Sequence, residues 1–176
     1  GVQTCALPIL AGFAYELGGV VNDITNSPGR QMRSAEEMSR MAPFVDAAVS
    51  IDRTSFDNTF LSYYTWGEGI ALALDLTLRE NTNGRVTLDD FMRAMWQRFG
   101  KLGGRPGYVD RPYTIDDAKQ VLGVVAGDRA FADDFFARFI QGHDVANYEA
   151  LLARAGLVVR RVSPGQAFAG QMRLQD

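Results

Sequence analysis

Three segments of this 176-residue chain begin with one helix-capping pattern, a hydroxyl residue followed three positions later by a carboxylate. The pairs are Ser34 with Glu37, Thr87 with Asp90, and Thr114 with Asp117. In such a capping box each side chain satisfies a backbone N–H group that the first helical turn leaves without a partner. Apolar residues recur at helical spacing after the second and third pairs, so the chain is expected to be all-α.

The segment from Phe60 to Glu80 needs a choice between strand and helix. Apolar residues alternate with small or polar ones from Ile70 to Leu78, which is a strand period. The segment is, however, longer than a typical strand and rich in Ala and Leu, which are strong helix formers. We therefore predict a buried helix.

The other elements follow from start and stop signals. A helix from Leu10 to Thr25 should end before Ser27-Pro28-Gly29, and a short one should start at Asn147. Asp128 precedes a further helix, and Phe44 to Asn58 is expected to be a long connection. The sequence thus predicts an irregular antiparallel bundle of about six helices with a short extended C-terminal tail.

Composition narrows the function classes. The chain has 18 basic and 21 acidic side chains and no long basic run, which argues against nucleic acid as a partner. No stretch approaches the roughly 18 apolar residues of a membrane span, so no membrane partner is expected. A single Cys and a single His exclude an internal disulfide and a zinc site built from His and Cys.

Residues 1–9 differ from the rest in showing neither helix nor strand patterning. One back-translation of Gly1 to Ile9 resembles an adapter oligonucleotide of short-read sequencing libraries. We interpret these residues as a sequence artifact and expect the natural sequence to start at about Leu10, as the downstream piece of a broken reading frame. A signal-peptide tail is the alternative, although no basic region precedes it.

Two local patterns could carry chemistry but fit it poorly. Asn81, Asn83, Gly84 and Asp90 occupy calcium-loop positions, yet Arg79 falls at the first ligand position, where a carboxylate is needed. A helix hairpin turning at Asn83-Gly84 is therefore the preferred interpretation. His143 lies in a polar turn and is expected to be a solvated or capping side chain, because a metal site or a catalytic triad needs partners.

One aromatic cluster remains, Ser62 to Gly69, with Tyr63 and Tyr64 followed by glycines at the start of the apolar helix. An aromatic pair at such a place is more often packing than chemistry. A wider set of segments, in order over Leu10 to Phe168, nevertheless carries a resemblance. The segments are Thr25-Asn26-Ser27-Pro28-Gly29-Arg30, Ser34-Ala35, Ser62-Tyr63-Tyr64 with Gly67, Ala73-Leu74-Asp75-Leu76 with Arg79, Thr87-Leu88-Asp89-Asp90, and Tyr148-Glu149-Ala150-Leu151-Leu152 with Gly156-Leu157.

Together these segments resemble the C-terminal helical part of the M61 family of zinc metallopeptidases, the glycyl aminopeptidase type. The resemblance implies half of a thermolysin-like (gluzincin) catalytic domain that removes N-terminal Gly or Ala from peptide substrates. In that family and in related aminopeptidases, a Tyr-x-x-Gly element supplies the tyrosine that stabilises the oxyanion, and Tyr64-Thr65-Trp66-Gly67 occupies that place. Trp66 replaces the usual Lys. Tyr63 is then expected to border the substrate pocket or to pack.

The resemblance also says where the metal should be. Trp66-Gly67-Glu68-Gly69 is similar to the family's zinc-ligand neighbourhood, but the Pro-Gly-Arg element lies upstream of Glu68 here, whereas in the family it follows the ligand. Glu16 fails too, since it lies only twelve residues before Pro28. The zinc ligands and the general-base Glu are thus expected in a missing N-terminal part of the same catalytic domain. The fragment alone should bind no zinc and be inactive.

The resemblance implies a helical subdomain at 10–160 and a linker at 161–176 that leads to a PDZ-like domain. The resemblance also implies a periplasmic location, because many members of that family carry signal peptides. Two other functions stay open: a self-standing all-α interaction module whose aromatic cluster binds a partner helix, and the calcium-binding hairpin.

Overall fold

The computed structural model describes residues 3–45, 58–100 and 111–161, and this part of the chain is all-helical, which confirms the predicted fold class. The α-helices within these ranges are α1 (Gln3–Asn26), α2 (Gly29–Met32), α3 (Ala35–Arg40), α4 (Ala42–Val45), α5 (Tyr63–Thr82), α6 (Leu88–Met95), α7 (Ile115–Ala126), α8 (Arg129–Phe135) and α9 (Tyr148–Arg154). Two π-helical segments continue α6 and α8, namely π1 (Trp96–Gly100) and π2 (Phe136–Ile140). No helix in the described ranges is long and apolar enough to cross a membrane.

Several element boundaries differ from the sequence prediction. Helix α1 begins at Gln3, not Leu10, so it includes residues for which the sequence indicated neither helix nor strand. The estimate of about six helices was too low, since α2 and α4 have only four residues each and too little periodicity to predict. Most of the expected connection from Phe44 to Asn58, and nearly all of the linker at 161–176, lie outside the described residues.

The capping boxes form as predicted. Glu37 N donates to Ser34 Oγ at 3.2 Å, and Ser34 N donates to Glu37 Oε2 at 2.8 Å. The corresponding carboxylates of α6 and α7, Asp90 and Asp117, accept from the backbone N–H of Thr87 at 2.9 Å and of Thr114 at 3.0 Å. These backbone hydrogen bonds lower the pKa of all three carboxyl groups, because they stabilise the charged form.

The lowered pKa values predict that acid destabilises the protein. A carboxyl group with a folded-state pKa below its unfolded value stabilises the fold above that value and loses this contribution as the pH falls. The melting temperature should therefore drop between about pH 5 and pH 3. Asp90→Asn keeps a hydrogen-bond acceptor but cannot titrate, so thermal melts of this variant should depend less on pH. Asp89→Asn, at an exposed position outside the capping box, is the control. Equal slopes for both variants would contradict the capping assignment.

The hydrophobic core consists of two clusters that share α5. The first lies between α1, α3, α9 and the first half of α5, and its most deeply buried side chains are Ile24, Met38 and Trp66. The second lies between the second half of α5, α7 and α8, around Leu78 and Leu122. Ile70 packs against both clusters. Buried positions along α5 recur at helical spacing, so the choice of helix over strand from Ile70 to Leu78 is confirmed.

Gly69 is a point of close contact between α5, α1 and α9. A Cβ atom there would overlap Ile24 Cδ1 and would lie 2.7 Å from the Tyr148 hydroxyl. The absence of a side chain lets three helices meet at one point. Burial at this contact raises the pKa of the Tyr148 phenol to about 12.

Candidate functional site

The two tyrosines of the predicted site form the first turn of α5. Ser62 caps this helix, with its Oγ accepting from Tyr64 N at 3.3 Å and its carbonyl oxygen accepting from Trp66 N at 2.9 Å. A serine cap followed by two aromatic residues therefore fixes where both side chains leave the helix. The Ser62 cap thus sets the residue at which α5 begins, and Tyr63 and Tyr64 are its first two residues.

The structure separates the surroundings of Tyr63 and Tyr64, although their rings contact each other with centroids 4.6 Å apart. Tyr63 is half-buried against the first core cluster and meets Phe60 edge-on, with ring centroids 6.4 Å apart. Tyr64 is 73% exposed. Within the described part of the chain, no hydrogen bond engages the Tyr64 phenol, so its O–H can donate to a group that arrives from outside.

The residues after Tyr64 point to both sides of the helix. Trp66, which stands where the resembled family has Lys, is 1% exposed and belongs to the first core cluster. Gly67 and Glu68 are exposed, and nothing lies within 4 Å of a Cβ atom built at Gly67. The open glycine leaves space beside Tyr64, three residues away, for a ligand to approach the helix backbone.

The Ser-Pro-Gly-Arg turn between α1 and α2 supports the segment that leads to the tyrosines. Gly29 is buried directly against the backbone of Phe60, where a Cβ atom would lie 2.6 Å from both N and C. Arg33 Nη1 also donates to the Thr59 carbonyl at 3.5 Å. Two sequence elements of the proposed family pattern, the turn and the tyrosine pair, are thus brought together in space.

His143 has a structural partner that the sequence did not predict. Its Nδ1 lies 2.7 Å from the carbonyl oxygen of Arg30, which requires Nδ1 to be the protonated donor. Arg30 returns the contact through Nη1 to the His143 carbonyl at 2.5 Å, and its Nε donates to Ile24 O at 3.1 Å. These two contacts join α2 to the turn after π2.

The hairpin between α5 and α6 uses its carboxylates for folding. Asn83 and Gly84 turn the chain with φ values of 53° and 76°. Asp75 accepts from Arg79 Nε at 2.7 Å and from Leu88 N at 2.9 Å, and these bonds outweigh desolvation and lower its pKa. Asp90 is held by the Thr87 cap. The loop therefore has the geometry of the helix hairpin preferred from the sequence.

This geometry predicts that calcium leaves the protein unchanged. Arg79 is paired with Asp75 at the first position of the loop, where it repels a cation, and Asp90 is already hydrogen-bonded. Millimolar Ca²⁺ should change neither the melting temperature nor the helical circular dichroism signal. A rise in melting temperature that Mg²⁺ does not reproduce would contradict this assignment and support a calcium-binding hairpin.

Metal ligands do not converge anywhere in the described ranges: no three His, Cys, Asp or Glu side chains come close enough there to hold an ion. Glu68, the residue of the rival alignment with the zinc-ligand neighbourhood, stands exposed on α5. Comparisons with protein-family models, with curated proteins and with solved structures find no match to this chain.

Proposed function

We propose that this chain is the C-terminal helical part of a zinc-dependent aminopeptidase of the glycyl aminopeptidase type. Its peptide substrates would carry a small N-terminal residue, Gly or Ala, and Tyr64 would stabilise the oxyanion of the tetrahedral intermediate. The proposal rests on the ordered resemblance over Leu10 to Phe168. The contrast between an outward Tyr64 and a packed Tyr63 is the structural observation that supports it best.

The chemical role of Tyr64 follows from its position. A phenol O–H that is fixed by a capped helix and engaged by no described residue can donate one hydrogen bond to a negative oxygen. A single such donor contributes about 3 to 4 kcal/mol to the transition state in comparable oxyanion holes. The ring contact with Tyr63 limits how far the Tyr64 side chain can turn away, so Tyr63 acts as a positioning residue or borders the substrate pocket.

The described residues do not fit a zinc ion. The full sequence contains one His, and the described ranges bring no three ligand side chains together. The site with three protein ligands that catalytic zinc requires is therefore not formed within those ranges. We assign it to the missing N-terminal part of the same catalytic domain and derive no step of the reaction through the metal.

Restoring the upstream reading frame tests this proposal. The joined protein should contain a His-Glu-x-x-His element, bind one Zn²⁺, and release the chromophore from glycyl or alanyl anilides in a reaction that a chelator stops. The 176-residue chain alone should bind no stoichiometric zinc and release nothing. An upstream frame without metal ligands, or tight zinc binding with activity in the isolated chain, would contradict the proposal.

A self-standing interaction module is the second candidate. It is favoured by the two core clusters, which close around Trp66 and Leu78 with both side chains at most 1% exposed, without any further chain. In that case the aromatic pair at the start of α5 would contact a partner helix. The same experiment separates the two functions, because a module would fold and bind its partner while the joined protein hydrolysed no anilide.

A further inference from the structure

An apolar groove of about 450 Å³ lies between α6, π1, α7 and π2, away from the start of α5. Its volume falls in the range of about 300 to 1,000 Å³ that is typical of small-molecule sites. Three of its lining side chains, Met92, Trp96 and Tyr113, are 55% to 59% exposed. Exposed aromatic and methionine side chains that line one concave surface are characteristic of binding sites for apolar groups.

Both π-helical segments of the described chain contribute to this groove. Segment π1 supplies Trp96, Phe99 and Gly100, and π2 supplies Phe136 and Ile140. π-Helical turns are rare and occur frequently at functional sites. Gly100 is part of this shape, because a Cβ atom there would lie 2.8 Å from Trp96 Cδ1. The glycine leaves the space that the Trp96 indole occupies.

Two arginines border the groove. The guanidinium carbons of Arg98 and Arg111 lie 5.6 Å and 5.5 Å from the centre of the Phe99 ring, which lines it. Neither guanidinium forms an ion pair within the described residues. The nearby carboxylate of Asp117 is hydrogen-bonded to Thr114 as a helix cap and is attracted electrostatically by both guanidinium groups. The border therefore carries two cations beside one carboxylate, and this net positive charge favours a ligand anion.

We propose that this groove binds a free single-chain amphiphile with an anionic head, of the fatty-acid class. The alkyl chain would lie between Met92, Trp96 and Ile140, and the carboxylate would lie against Arg98 and Arg111. The apolar lining favours the alkyl chain of the ligand, and the two arginines favour a negatively charged head group. This proposal does not depend on the aminopeptidase assignment, since no residue of the Tyr63–Tyr64 pair lines the groove.

Dodecanoate, below its micelle-forming concentration, is the probe for the apolar part of the site. Calorimetry should show saturable binding of one dodecanoate per chain, with a change in tryptophan emission that is lost in Trp96→Phe. Met92→Glu places a carboxylate in the groove and should weaken binding at least about tenfold. Met32→Glu is the matched control, because Met32 is 61% exposed and lies outside the groove. No saturable binding, or equal affinities for these two variants, would overturn the proposal.

The anionic head group is tested by comparing dodecanoate with the uncharged dodecanol, each with the wild type and with an arginine variant. The double variant Arg98→Gln with Arg111→Gln should lose about tenfold in dodecanoate affinity and keep its affinity for dodecanol. Equal losses for both ligands would overturn the assigned head group. Vesicles of anionic phospholipid test whether the groove binds lipids in a membrane surface instead of a free amphiphile. Stronger binding to vesicles than to free dodecanoate, abolished by the arginine substitutions, would mean that the groove faces a membrane and would overturn the commitment to a free amphiphile.

Discussion

Gly29→Ala is expected to lower the melting temperature by about 6 to 12 °C, from a destabilisation of about 3 kcal/mol. The added methyl group would lie 2.6 Å from Phe60 N and C and 2.8 Å from Phe60 O. These are backbone atoms and cannot move aside by a rotamer change, so α2 and the segment before α5 must separate. Thermal denaturation followed by circular dichroism measures the effect. A variant that does not fold would also indicate that position 29 does not tolerate a side chain.

Gly18→Ala is the matched control for this prediction. Gly18 lies within α1, and nothing approaches within 4 Å of a Cβ atom built there. Alanine in an open helical position should raise stability by about 0.5 to 1 kcal/mol, because glycine loses more backbone entropy on folding. A melting temperature for Gly29→Ala equal to that of the wild type would mean that the turn does not pack against Phe60.

Local signals in the sequence predicted most helix starts, because the partners of a cap lie three residues apart. Ser34, Thr87, Thr114, Asp128 and Asn147 all begin helices as expected. The helix across Phe60 to Glu80 was also predicted, since the length of the apolar segment and its Ala and Leu content outweighed a strand-like alternation. In both cases the deciding information lies within one continuous segment of the sequence.

The π-helical segments and the groove between them were not predicted. A periodicity analysis at 3.6 residues per turn cannot separate an α-helix that continues through Phe99 from one that widens at Trp96. The apolar residues from Phe131 to Ile140 fit a helical face under either geometry. Recognising the groove required knowing that π1 and π2 line the same surface, and that information comes from packing across the chain.

The contacts that support the candidate site also join residues that are far apart in the sequence. Arg30 and His143 are 113 positions apart in the sequence. Neither the turn at Pro28 nor the turn at His143 has a sequence pattern that predicts a contact with the other. The sequence did single out Tyr64 and Tyr63 and the Pro-Gly-Arg turn as separate elements. What it lacked was the burial of Gly29 on Phe60, which joins them.

The most direct test of the proposed function compares two phenylalanine substitutions in the protein with its upstream frame restored. Tyr64→Phe removes one hydrogen bond to the oxyanion and keeps the ring, so kcat on an N-terminal Gly or Ala substrate should fall by about 10² to 10³. Tyr63→Phe keeps the edge-on contact with Phe60 and should change kcat little. Zinc content should be unchanged in both variants, and the melting temperature should be unchanged in Tyr64→Phe.

The measurement is therefore the steady-state kcat of these two variants beside the wild type, with zinc analysed in the same samples. A large loss is expected for Tyr64→Phe alone. A large loss for Tyr63→Phe with a near-normal Tyr64→Phe would shift the oxyanion role to Tyr63, and a normal kcat in both variants would contradict an oxyanion role for this pair.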